Sequence, residues 1–186
     1  MQQHQTLLQT LRGATSSLHE EVESAPRLRA LSGGELAADD YLEVLIGFWK
    51  FHALQHARLV DAWVPSGFGP RDGLRLLERD LDGVRLARPG ATAPATGPVA
   101  LGILYVVEGS ALDRRVVGAG LRCHAELAGR TSFFSRPAPS IAARWQRFCA
   151  FLGRFDGRPP AFHEQVACGA LCAFRDAKAT FGDGQA

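Results

Sequence analysis

The sequence predicts an all-α fold: a single-domain bundle of about six to eight helices spanning residues 1–186. Three observations lead there. Apolar residues recur with the 3.6-residue helical period, while period-two alternation persists nowhere. Clusters of Pro, Gly and Ser cut the chain into lengths that suit helices. At 186 residues with 46% hydrophobic side chains, the chain has enough apolar surface for one substantial core.

The predicted helices fall near residues 5–24, 39–64, 71–86, 98–128, 140–153 and 161–181. In the first, Leu7, Leu11, Ala14, Leu18 and Val22 form an apolar stripe. The second follows Asp39 and Asp40, which suit its N-cap. Tyr41, Leu45, Phe48, His52, Leu59 and Trp63 line one side of it, and Leu42, Ile46, Trp49, Ala53 and Val60 a neighbouring one. So broad an apolar surface predicts a helix through the middle of the bundle. The breakers PSGFGP (65–70) and ARPGATAPATGP (87–98) bound the third helix. GRTSFFSRPAP (129–139) separates the fourth from the fifth, and GRFDGRPP (153–160) the fifth from the sixth.

Formal charge is +2, so composition gives no electrostatic case for nucleic-acid or membrane-surface partners. Residues 1–10 are polar and glutamine-rich, unlike a signal peptide. No apolar run reaches the length of a membrane span. Cys123, Cys149, Cys168 and Cys172 contain no C-x-x-C pair, and the expectation is four reduced core thiols in a cytoplasmic protein.

Chemistry concentrates in two segments. LRGATSSLHEEVE (11–23) puts His19 on the edge of the first helix's apolar stripe. A neutral imidazole turned toward a core suits either a structural hydrogen bond or ligation of heme iron. LGILYVVEGSALDRRVVGAG (101–120) is strongly apolar yet holds Gly102, Gly109, Gly118 and Gly120. An interior glycine costs a helix about 1 kcal/mol relative to alanine. Close approach to another helix, or to a flat ligand, would repay that cost.

Taken together these segments resemble heme oxygenases, especially the bacterial biliverdin-producing kind. The first matches the family's proximal helix. The second, as far as Leu112, matches its distal YV-x-EGS-x-LGG pattern. DYLEVLIGFW, the SFF of 132–134 before the helix of Trp145, and the closing GALCAF add to the likeness, which covers nearly the whole chain in order. The resemblance implies a heme-oxygenase-like fold with heme between the first and fourth helices. His19 would be the proximal iron ligand, with Gly109 and Ser110 on the distal side. Arg12 would hold a propionate, with Arg144 and Arg147 as further candidates. It also implies O2 and electrons from an external donor, such as a ferredoxin or flavoprotein reductase. The products would be biliverdin, carbon monoxide and ferrous iron, with a bacteriophytochrome as one recipient of the biliverdin.

The chain departs from the family where its distal pattern has two glycines. Asp113 and Arg114 stand there, and Asp113 shares a helix face with Gly109. Asp113 is therefore a candidate catalytic residue that orders water beside bound oxygen, favours ferric iron, or narrows the cleft. The second would slow reduction and oxygen binding, and the third, with Arg114 and Arg115, would leave heme bound weakly or not at all. Asp113 and Arg114 thus favour, as the alternative, a heme-binding carrier or sensor without turnover. His52 and His56 have metal-ligand spacing but no third ligand, and read as core histidines. Glu20, Glu21 and Glu23 follow His19; one of them could orient its ring. Glu108, among apolar neighbours, is expected to pair with an arginine or a histidine.

Overall fold

The computed structural model describes residues 5–33, 36–65, 67–90, 92–120, 129–135 and 138–182, without the side chains of 111–120 and 138–140. Among the described residues there are seven helices and no strand. They are α1 (Leu7–Glu23), α2 (Pro26–Gly33), α3 (Ala38–Arg58), α4 (Arg71–Asp80), α5 (Gly97–Gly120), α6 (Ala138–Gly153) and α7 (Pro160–Phe181). None is long and apolar enough to cross a membrane.

The most extensive contact is between α5 and α7, and α1 lies along α7 as well. Glycine makes the first contact possible. A Cβ on Gly102 would overlap the Val166 carbonyl oxygen of α7, and one on Gly169 would overlap the Val99 carbonyl oxygen of α5. The two backbones therefore touch across a reciprocal glycine pair. The expected central helix is also corrected here. Every residue from 100 to 108 of α5 is buried, whereas α3 keeps an outer face and ends at Arg58. Its terminal carbonyl, on Arg58, accepts a hydrogen bond from the Ala95 amide at 2.7 Å. Trp63 and Val60, expected on the stripe of a longer helix, are instead 75% and 64% exposed.

Other boundaries follow from local chemistry. Thr6 caps α1 in a capping box: the Gln9 amide donates to Thr6 Oγ1 (3.2 Å) and the Thr6 amide to Gln9 Oε1 (2.9 Å). The Leu7 amide donates to Asp156 Oδ1 at 2.8 Å, fastening the start of α1 to the α6–α7 turn. Thr15 replaces Ala14 on the buried stripe, its hydroxyl returned to the Leu11 carbonyl at 2.8 Å. The N-cap of α3 is Ala37; Asp39 and Asp40 stand inside the first turn, where they favour the helix dipole. Helix α4 stops at Asp80, whose carbonyl accepts from Arg130 and whose carboxylate takes the Ser132 and Phe133 amides. Pro160 opens α7 at a position where its missing N–H costs nothing. Helix α2 was not anticipated: it has eight residues, and only Leu31 is fully buried.

One apolar cluster joins α1, α5, α6 and α7, and a second gathers α3 and α4 around Phe133 and Phe134. An Arg58–Asp176 ion pair links α3 to α7. Of the cysteines, Cys149 and Cys172 are half-buried free thiols, Cys168 is exposed and so no core residue, and Cys123 lies outside the described residues.

The glycine crossing gives a stability test. Gly102→Ala is expected to destabilise the fold by about 3 kcal/mol, because backbone must shift to admit the methyl group. Gly13→Ala, where nothing lies within 4 Å of the added carbon, is expected to stabilise it by about 0.5–1 kcal/mol. Urea unfolding of both variants reads the difference.

Candidate functional site

Because α1 and α5 are both held by α7, a space remains between them. It is a cavity of about 460 Å³, a size common for cofactor sites. Arg12, Ser16 and His19 of α1 line it, together with Tyr105, Gly109 and Ser110 of α5. Trp145 of α6, Phe174 of α7, and side chains of α2 and α3 complete mostly apolar walls. Four predicted site residues, Arg12, His19, Gly109 and Ser110, thus meet in one cavity.

His19 is half-exposed at the cavity wall. Its Nδ1 lies 3.3 Å from Glu23 Oε2, one turn on along the same helix. With the proton on Nδ1, the ring would face this carboxylate and present the lone pair of Nε2. The ring also meets Phe174 edge-on, with centroids 5.5 Å apart. Of the three glutamates near His19, Glu23 is therefore the one that orients it. Glu21 pairs with Lys178 of α7, which lowers its carboxyl below the ordinary range.

Gly109 contrasts with Gly102. A Cβ there would make only ordinary contact, 3.8 Å from the Trp145 ring. Helix packing explains Gly102 but not Gly109, whose missing side chain leaves space in the cavity wall. Ser110 donates its hydroxyl to the Val107 carbonyl at 2.9 Å, keeping its lone pairs for an acceptor role.

Two predicted anion-binding residues lie elsewhere. Arg144 does not line the cavity. Its Nε and Nη2 donate to the two carboxylate oxygens of Glu108 at 2.6 and 2.7 Å, and Nη2 also reaches the Gly69 carbonyl. The Gly69 amide donates to Glu108 Oε1 at 2.7 Å. This satisfies the expectation that Glu108 pairs with an arginine and removes Arg144 from the cavity. Arg147 is exposed and also off the cavity wall. Asp113 and Arg114 lie in the part of α5 whose side chains fall outside the described residues. Neither His52 nor His56 lines the cavity; His52 is buried between the Phe51 and Phe133 rings. Among the described residues no cluster of three or more His, Cys, Asp or Glu could hold a metal ion.

Tyr105 and Thr15 were not anticipated. Burial pushes the Tyr105 phenol above its ordinary value, while a hydrogen bond with Thr15 and the nearby Arg12 charge oppose the shift. Burial also raises the Cys149 thiol, again opposed by Arg12. Arg12 thus extends its field over this end of the cavity. Tyr105 was legible as a partner, since it stands four residues before Gly109 on the same helix face.

No family model matches the chain, and a search of curated proteins found no match.

The tyrosines give a pH test. Tyr41 and Tyr105 are the chain's two tyrosines, and burial raises both above 10.0, with the Asp80 charge adding to the effect at Tyr41. Unfolded phenols ionise near that value, while the folded ones keep their protons. Their contribution to stability is present below pH 10 and is lost as pH climbs beyond it toward the folded values. Absorbance at 295 nm is expected to show tyrosinate only together with loss of helical circular dichroism. Phenol ionisation in a still-folded protein would contradict the burial of these rings.

Proposed function

We propose that the cavity binds heme through His19, and that the protein is a heme oxygenase yielding biliverdin, carbon monoxide and ferrous iron. What carries the reading is one juxtaposition. A glutamate-oriented imidazole and a helix glycine that packing does not require border the same apolar cavity. Its residues fit a flat macrocycle with two carboxylates: apolar walls, one oriented imidazole, and a cation beside a phenol.

Heme supplies the redox-active iron that activates oxygen, and is itself the molecule consumed. The protein's part is to bind, orient and shield. His19 offers Nε2 for ligation, and Glu23, one turn on, is placed to orient its ring. Arg12 offers charge-assisted hydrogen bonds to a propionate. Tyr105 stays a neutral donor at physiological pH because burial disfavours its anion. Phe174, Trp145 and the apolar side chains of α2 and α3 exclude water from the ring. Gly109 leaves a gap beside Trp145, and Ser110 accepts a hydrogen bond from water there. Electrons come from an external donor such as a ferredoxin or flavoprotein reductase in the cytoplasm. The biliverdin formed is a chromophore that a bacteriophytochrome would accept.

A hemin titration followed by a reductant in air tests the reading. A saturable Soret band is expected, then its loss with appearance of bilin. A stable band without bilin would replace the enzyme with a heme carrier, and no specific band would remove heme altogether. His19→Ala is expected to abolish the native ligation spectrum, and Glu23→Gln to weaken hemin affinity about 10-fold. Gly109→Leu is expected to fold normally yet bind hemin poorly, since its side chain would occupy the cavity.

A further inference from the structure

A file of aromatic rings runs from the cavity wall to the surface. Trp145 lines the cavity. Its ring lies 6.0 Å from that of Phe148, Phe148 lies 6.2 Å from Phe151, and Phe151 lies 6.0 Å from Trp63. The first three repeat every three residues along α6, which keeps them on one side of the helix. Phe148 is fully buried, while Trp63 at the far end is 75% exposed. Core packing accounts for Phe148. It does not account for an indole at the surface whose ring meets the last ring of the file at a 44° tilt.

We propose that Trp145, Phe148, Phe151 and Trp63 form an outlet for oxidising equivalents, protecting the cavity when oxygen chemistry miscarries. The inference rests on the heme reading. Its oxidant is hydrogen peroxide, formed when oxygen takes two electrons and two protons without attacking the ring. In each passage Trp145 gives one electron to the oxidised site and recovers one from Trp63 across the two phenylalanine rings. Trp63 loses its indole N–H proton to water. The external reductant then returns an electron to Trp63, with a proton from water. Two passages supply the two electrons that, with two protons, convert one peroxide to two waters. Direction follows from solvation. A positive charge on the indole is costly at the less exposed Trp145 and cheaper at hydrated Trp63, which can also shed its proton.

The third tryptophan, Trp49, supplies an internal control: it is 3% exposed and lies in the other apolar cluster. The experiment treats the hemin-loaded protein with hydrogen peroxide, without reductant, and maps oxidised tryptophan by peptide mass spectrometry. The Soret band is read first on the same sample. Trp63 is expected to carry severalfold more product than Trp49. Phe151→Leu, which keeps apolar volume at a half-buried site, is expected to lower product at Trp63 and raise it at Trp145. Trp63→Phe, a surface change, is expected to move product to Trp145 in the same way. A bound Soret band with Trp63 no more oxidised than Trp49 would overturn the outlet and leave the heme reading standing. So would product at Trp63 that is indifferent to Phe151→Leu. Absence of a Soret band would overturn both.

Discussion

The close crossing of α5 and α7 is the constraint on which the rest of the molecule depends. Gly102 and Gly169 let two backbones meet where any side chain would collide with a carbonyl oxygen. With α5 held this tightly, its neighbours arrange themselves around a fixed rod. Helix α1 packs on the same partner, so α7 sets the separation between α1 and α5. A wider crossing would change that separation and, with it, the distance between His19 and Gly109. The cavity is therefore a product of helix packing at a place that lines none of it.

A second tie holds the other flank. Glu108 is buried, and its carboxylate accepts two hydrogen bonds from Arg144 and one from the Gly69 amide. Burying these charges costs free energy that a well-packed apolar pair would avoid, whereas removing one partner alone would strand the other at a cost of about 3–5 kcal/mol. What the arrangement secures is position. It joins α5, α6 and the loop before α4 one residue away from Gly109, so the glycine's surroundings are set by directional bonds as well as by apolar contact. Arg144 also lies over the Phe68 ring, 5.7 Å from its centroid, which extends the tie to the aromatic side of the bundle.

Much of this was legible in the sequence, for particular reasons. Four of the six expected helices appear near their expected positions because Pro and Gly clusters mark the gaps, residues 121–128 of the fourth lying outside the described residues. The other two, α3 and α4, begin as expected but each stops six residues early: a distant loop amide takes the last carbonyl of α3, and Arg130 takes that of Asp80 at the end of α4. Helix α2 escaped notice because eight residues with one fully buried leucine leave almost no periodic signal. At the site, the spacing of 11–23 placed His19 correctly on the edge of the apolar face, and helix arithmetic put Glu23 one turn away. The arginines were less legible. Arg12 and Arg144 look alike in sequence, yet one reaches the cavity and the other is consumed by Glu108. Only the pairing of α5 with α6 decides that. The two puzzling glycines also look alike in sequence, and only the surroundings of a hypothetical Cβ separate packing from open space.

The hydrogen bond from the Leu7 amide to Asp156 joins residues 149 positions apart in the chain. Together with the docking of α1 on α7, it fixes an order of assembly during synthesis. The segment carrying His19 leaves the ribosome well before the surface of α7 that receives it. Contacts this distant form late and slowly, because much of the chain must be ordered before they are rewarded. A nascent chain therefore exposes the imidazole and the apolar face of α1 until α7 has emerged. The wall of the cavity that carries His19 is therefore completed only after α7 has been translated.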